Sequence, residues 1–131
     1  MRGFLVLLMA LGLGLSTASL AAPAGQHHKL VVYFPSWSAE IDDSTVKSLD
    51  EAAKWATDHP RDVVTVAGYA STIGSKRANR LLADLRTQIV ADQLAAKGVP
   101  QTRIRMLPKG ATSFLDSPLE SRRVEISIDP K

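Results

Sequence analysis

Two short runs of β-branched and aromatic residues, LVVYF at 30–34 and DVVTVAGYA at 62–70, are each followed by one long stretch of helical period that ends on proline or glycine. That alternation constrains the fold more than any other feature, because strand runs separated by single helices must share one sheet and bury one helix face each. After Pro35 stops the first strand, Asp42, Asp43 and Ser44 offer helix caps, and Val46, Leu49, Ala53 and Ala56 recur at helical spacing until His59-Pro60. The second helix is expected over 75–97, with Gly98 as the residue just past its end and Pro100 preventing resumption. Two further strands follow at 103–107 and 123–128, the latter with Val124, Ile126 and Ile128 on one face. The expected fold is α+β, in the order βαβαββ, a two-layer sandwich with both helices on one side of a mixed four-stranded sheet.

The first residues are set apart from this pattern. A short basic start with Arg2, an apolar run at 4–15 and small residues at 16–22 read as a signal peptide. The expected organisation is a signal peptide at 1–21, a linker at 22–28 (APAGQHH) and one domain at 29–131. The apolar run is too short to span a bilayer comfortably. No cysteine is present, so neither a disulfide framework nor a lipid-modified cysteine is expected, and an exported chain must be held by its core alone. Basic residues number 16 and acidic residues 13; losing Arg2 leaves 15 against 13, a net charge of +2, too mild for a nucleic-acid partner. Export from the cytoplasm is the expectation these residues carry.

On the second helix, Ala78, Leu82, Leu85, Ile89 and Ala96 lie close to one line and are expected to face the sheet. Arg86 falls at the margin of that stripe, where it would hold its head at a rim. Lys76, Arg77 and Arg80 crowd the helix start, where the macrodipole disfavours cations, so an anion or plain solvation must account for them. Trp55 reads as core and Trp37 as a loop residue. No catalytic set emerges. Ser71 lacks the spacing of a nucleophile elbow and is read as a helix cap, and His59 precedes a proline at a helix end. His27 and His28 sit in the linker, where only a free amine at Gly25 would complete a square-planar metal site with His27. No enzyme activity, cofactor or metal is expected.

The set VYF at 32–34, Gly68-Tyr69 with Ile73-Gly74, Asn79-x-x-Leu82-x-x-x-Arg86, KGVP at 97–100 and RRVEI at 122–126 resembles the peptidoglycan-associating domain of outer membrane protein A, shared with peptidoglycan-associated lipoprotein and flagellar stator proteins. The resemblance implies that the diaminopimelate group of a wall peptide is held as a zwitterion, an Asp after the strand end meeting its ammonium and a helix Arg meeting its carboxylate. Arg86 occupies the arginine position, and the acid position is Ser71. Pro35-Ser36-Trp37 departs from the family's polar loop as well, and Ala83 and Thr87 replace its usual Ser and Ala. A neutral hydroxyl in place of the acid implies a loss of about 1 to 3 kcal/mol, or roughly tenfold to a hundredfold in affinity. The ligand-binding residues expected are Ser71, Asn79, Arg86 and Arg80, in a pocket leaning positive and favouring carboxylate or phosphate. Two functions follow: a binding module with weak or modified peptidoglycan association, or a protein-interaction module of an envelope or secretion assembly that has lost it.

Overall fold

The computed structural model describes residues 25–111 and 121–131; the expected signal peptide and the first part of the linker lie outside the described residues. The order is β1 (His28–Tyr33), α1 (Asp43–Asp58), β2 (Val63–Ala70), α2 (Lys76–Ala96), a 3-10 turn at Gln101–Arg103, β3 (Ile104–Ala111) and β4 (Arg123–Asp129). The strands form one mixed sheet in the order β1-β4-β2-β3. β4 lies antiparallel to both β1 and β2, whereas β3 runs parallel to β2. The expected α+β architecture is therefore the one adopted.

Register explains the layering. Val64 pairs with Ile128 and Val66 with Ile126 across β2 and β4, while Leu30 and Val32 oppose Ile126 and Val124 across β1 and β4. One face of the sheet thus carries the apolar set. Val32, Val64, Val66, Val124, Ile126 and Ile128 are buried there with Leu49, Ala52, Ala53 and Ala56 of α1 and with Val90 and Leu94 of α2, so both helices cover the same face.

Local chemistry closes each helix. Asp42 caps α1, its carboxylate accepting from the Thr45 N–H at 2.7 Å. At the other end of α1 the Arg103 guanidinium donates to the carbonyls of Ala56, His59 and Asp62, closing the helix end where Pro60 offers no N–H to Ala56 O. Trp55 is sandwiched there between the rings of His28 and His59, with centroids 4.4 and 4.3 Å apart. His28 accordingly opens β1 rather than staying in a linker. α2 ends as expected at Gly98, which adopts φ 105°.

Three expectations are corrected. β3 does not stop before Pro108 but continues to Ala111, which an edge strand permits because the missing N–H can face away from its one neighbour. Ser71 does not cap α2; Ser75 does, accepting from Ala78 N–H, while Ser71 Oγ accepts from Ile73 N–H within the turn. The third concerns the buried face of α2, which consists of Asn79, Ala83, Arg86, Thr87, Val90, Ala91 and Leu94. At 100° per residue, it is rotated by roughly 130° from the expected stripe. Leu85 is half exposed, and Ala78, Leu82 and Ile89 are only partly buried. The cause lies in the sheet. A Cβ on Gly68 would stand 2.0 Å from Thr87 Oγ1 and 2.6 Å from the Ala83 carbonyl oxygen, so α2 approaches β2 too closely for leucine at the contact. Ala83 and Thr87 therefore occupy the contact with Gly68.

Candidate functional site

β1 and β2 are parallel, so their C-terminal ends lie at one edge of the sheet together with the start of β4. A pocket of about 80 Å³ opens at that edge, several times the space one water requires. Ser36 and Trp37 come from the loop after β1, and Ser71 and Ile73 from the turn after β2. Asn79, Leu82 and Arg86 come from α2, and Arg122 immediately precedes β4. Three of the four expected ligand residues, Ser71, Asn79 and Arg86, are brought together. Arg80 is exposed and does not line the pocket.

Asn79 is buried and shapes the turn: its amide nitrogen donates to the carbonyls of Ile73 at 2.8 Å and Ser75 at 3.0 Å. Gly74, at φ 89°, lets the Trp37 ring lie against it; a Cβ there would meet the ring at 3.1 Å. Trp37 itself has φ 52° and is 61% exposed, forming a wall that solvent reaches. Both wall residues thus stand at left-handed backbone, which side-chain-bearing residues rarely adopt.

Arg86 does not stand at a rim. It is completely buried, with Nε donating to Ser38 O at 2.9 Å, one terminal nitrogen to Tyr69 O at 3.3 Å and the other to Pro35 O at 3.0 Å. Its cation also lies 5.2 Å from the Phe34 ring centroid. Burial first, and the neighbouring Arg122 second, push the Arg86 pKa down to about 10, which leaves it charged at neutral pH. Arg122 is half-buried, and its Nε donates to Phe34 O at 3.1 Å. Neither arginine has a carboxylate within ion-pairing distance among the described residues.

Arg122 was missed as a site residue, although a signal for it exists. The alternation that turns Val124, Ile126 and Ile128 toward the helices carries Arg122 to the same side of the sheet. Ile73 and Leu82 stand within the motifs that carry the resemblance and Trp37 in the loop that departs from it, but none of the three was expected as a ligand residue.

A second, wider groove of about 1010 Å³ lies at the other end of β2, between the turn at Arg61 and the start of β3. Its central cation, Arg103, is taken up by the carbonyls that close α1, so that groove reads as a product of the helix end. No cluster of three or more potential metal ligands occurs among the described residues. No helix among them is long and apolar enough to cross a membrane.

Comparison with known proteins bears on the family and the fold. Peptidoglycan-associated lipoprotein of Agrobacterium fabrum is 30% identical over 103 residues, covering 75% of this chain and 58% of its own length. The probable lipoprotein YiaD of Escherichia coli is 30% identical over 105 residues, covering 76% of this chain and 48% of its own length. The chain therefore spans about half to three fifths of these relatives. Among solved structures, the peptidoglycan-associated lipoprotein of Burkholderia pseudomallei superposes with a TM-score of 0.68 at 21% identity, over 75% of this chain and 88% of that one. The periplasmic domain of Helicobacter pylori MotB gives 0.67 at 20% identity, over 85% and 80%. Those two likenesses speak for the fold. Residues 33–124 match the OmpA family, and with that span the chain belongs to the OmpA family.

Proposed function

We propose that the chain is a periplasmic, non-catalytic binding module that associates non-covalently with the peptidoglycan stem peptide through the pocket at the β2–α2 turn, weakly or in a modified way. The observation that carries this reading is the convergence of Ser71, Asn79 and Arg86 on one small pocket at the edge where β1, β2 and β4 meet. Relatives named for their association with peptidoglycan supply the ligand class. Catalysis finds no support in the pocket. No histidine lines it, and the Ser71 hydroxyl oxygen accepts from the backbone instead of facing a base.

Among the described residues the pocket lining offers no carboxylate to neutralise the ammonium of diaminopimelate, which supports weakened rather than full-strength binding. The same observation favours the second reading, a protein-interaction module of the envelope that retains the fold alone. Co-sedimentation with purified cell-wall sacculi separates the two. Partial sedimentation, reversed by a diaminopimelate-containing stem peptide, is the expected result. Protein that stays in the supernatant, or sediments without competition by the peptide, would move the protein-interaction reading to first place.

A further inference from the structure

We propose that the pocket is a receptor for a carboxylate with no ammonium beside it, and that Arg122, rather than Arg86, presents the N–H groups that meet it. The inference rests on the reading of this pocket as the ligand site and deepens it by naming the ligand's charge.

The assignment follows from where each guanidinium is engaged. Arg86 directs all three of its nitrogens to backbone carbonyls, on Ser38, Tyr69 and Pro35, and is sealed from solvent. It acts as a charged floor. Arg122 is anchored through Nε alone, to Phe34 O, which fixes the plane of the guanidinium while its two terminal nitrogens take no acceptor among the described residues. That is the open end of a fork suited to a carboxylate. Arg122 is near enough to Arg86 to depress its pKa, so the two positive charges add at the pocket.

The remaining polar groups do not offset them. Ser71 Oγ already accepts from Ile73 N–H, which leaves its hydroxyl hydrogen to donate, and the side-chain amide nitrogen of Asn79 is engaged with Ile73 and Ser75. Among the described residues every acceptor lining the pocket is neutral, whereas two donors are charged. An ammonium entering there meets two like charges without a counterion; a carboxylate meets counterions it does not have to share.

The test uses three stem peptides that differ only in the third residue, titrated calorimetrically into the exported protein. Diaminopimelate supplies a carboxylate and an ammonium, 2-aminopimelate a carboxylate alone, and lysine an ammonium alone. The aminopimelate peptide is expected to bind about tenfold more tightly than the diaminopimelate peptide, with the lysine peptide weakest. Arg122→Gln, which can keep a donor to Phe34 O, should erase the preference for aminopimelate over lysine while leaving the thermal midpoint nearly unchanged. Arg122→Lys should restore part of it. Tighter binding of the diaminopimelate peptide to the wild type would overturn the charge preference, and an unaltered preference in Arg122→Gln would overturn the role of Arg122. A parallel titration with glutarate, followed through the Trp37 side-chain resonance, separates the two levels. If no peptide binds but glutarate shifts Trp37, the wall-peptide reading fails and the carboxylate receptor stands. If glutarate leaves Trp37 unmoved as well, the receptor itself is refuted.

Discussion

Replacing Arg86 with alanine strips the carbonyls of Pro35, Ser38 and Tyr69 of a donor at once and leaves a void beside Phe34. We expect Arg86→Ala to cost about 2 to 5 kcal/mol of stability, read as a lower urea midpoint. Arg86→Lys should recover only part of this, because an ammonium cannot reproduce the planar fork that reaches three carbonyls. Burial depresses the Arg86 pKa from the usual guanidinium range to about 10, so keeping it charged opposes folding at every pH below about 10 and the opposition eases only as pH rises above that value. Asp42 carries the opposite sign. Its backbone bond to Thr45 lowers its pKa below 3.8, so its contribution is present above that value and is lost as pH falls through the lower folded-state pKa. Asp42→Ala should therefore lower the melting temperature at neutral pH, and the gap to wild type should close on acidification below 3.8.

At the scale of elements, the contact between α2 and β2 decides the packing. Gly68→Ala drives a methyl into Thr87 Oγ1 and the Ala83 carbonyl oxygen, and should cost about 1 to 3 kcal/mol by forcing the helix outward. Adding Thr87→Ala should relieve only part of that cost, since the Ala83 oxygen is backbone; chemical denaturation of the single and double variants checks this. The rotated helix face gives a second pair. Leu94→Ala removes a fully buried side chain and should cost about 2 to 5 kcal/mol, whereas Leu85→Ala, at a position 50% exposed, should change stability by about 0.5 kcal/mol or less. These positions also mark how far the sequence could be read. The strands were legible because LVVYF and DVVTVAGYA combine β-branched residues with clear stops, and Val124, Ile126 and Ile128 alternate cleanly. Helix existence and length were legible from caps and Gly98. The face of α2 was not, because periodicity weighs Leu85 above Ala83, while the sheet, through Gly68, demands the smaller side chain.

At the scale of the whole molecule, the topology makes the pocket. Parallel β1 and β2 with antiparallel β4 between them bring Trp37, Ser71 and Arg122 to one edge, although they are widely separated along the chain. Ser71, Asn79 and Arg86 were legible because they share one strand-turn-helix unit. Arg122 and Trp37 lie outside that unit: strand alternation turns Arg122 toward the helices, but the sheet order is what brings both to the turn. The central claim is that this is a wall-peptide pocket whose missing part is an acid at Ser71. Isothermal titration of diaminopimelate stem peptide into wild type and Ser71→Asp tests it most directly. The new carboxylate would face the ligand's ammonium, lie beside two arginines that have no ion pair among the described residues and stand near a helix start that carries no acid in its first turn. The account predicts binding tighter by roughly tenfold to a hundredfold in Ser71→Asp. A folded Ser71→Asp variant that binds the peptide no better than wild type would contradict it.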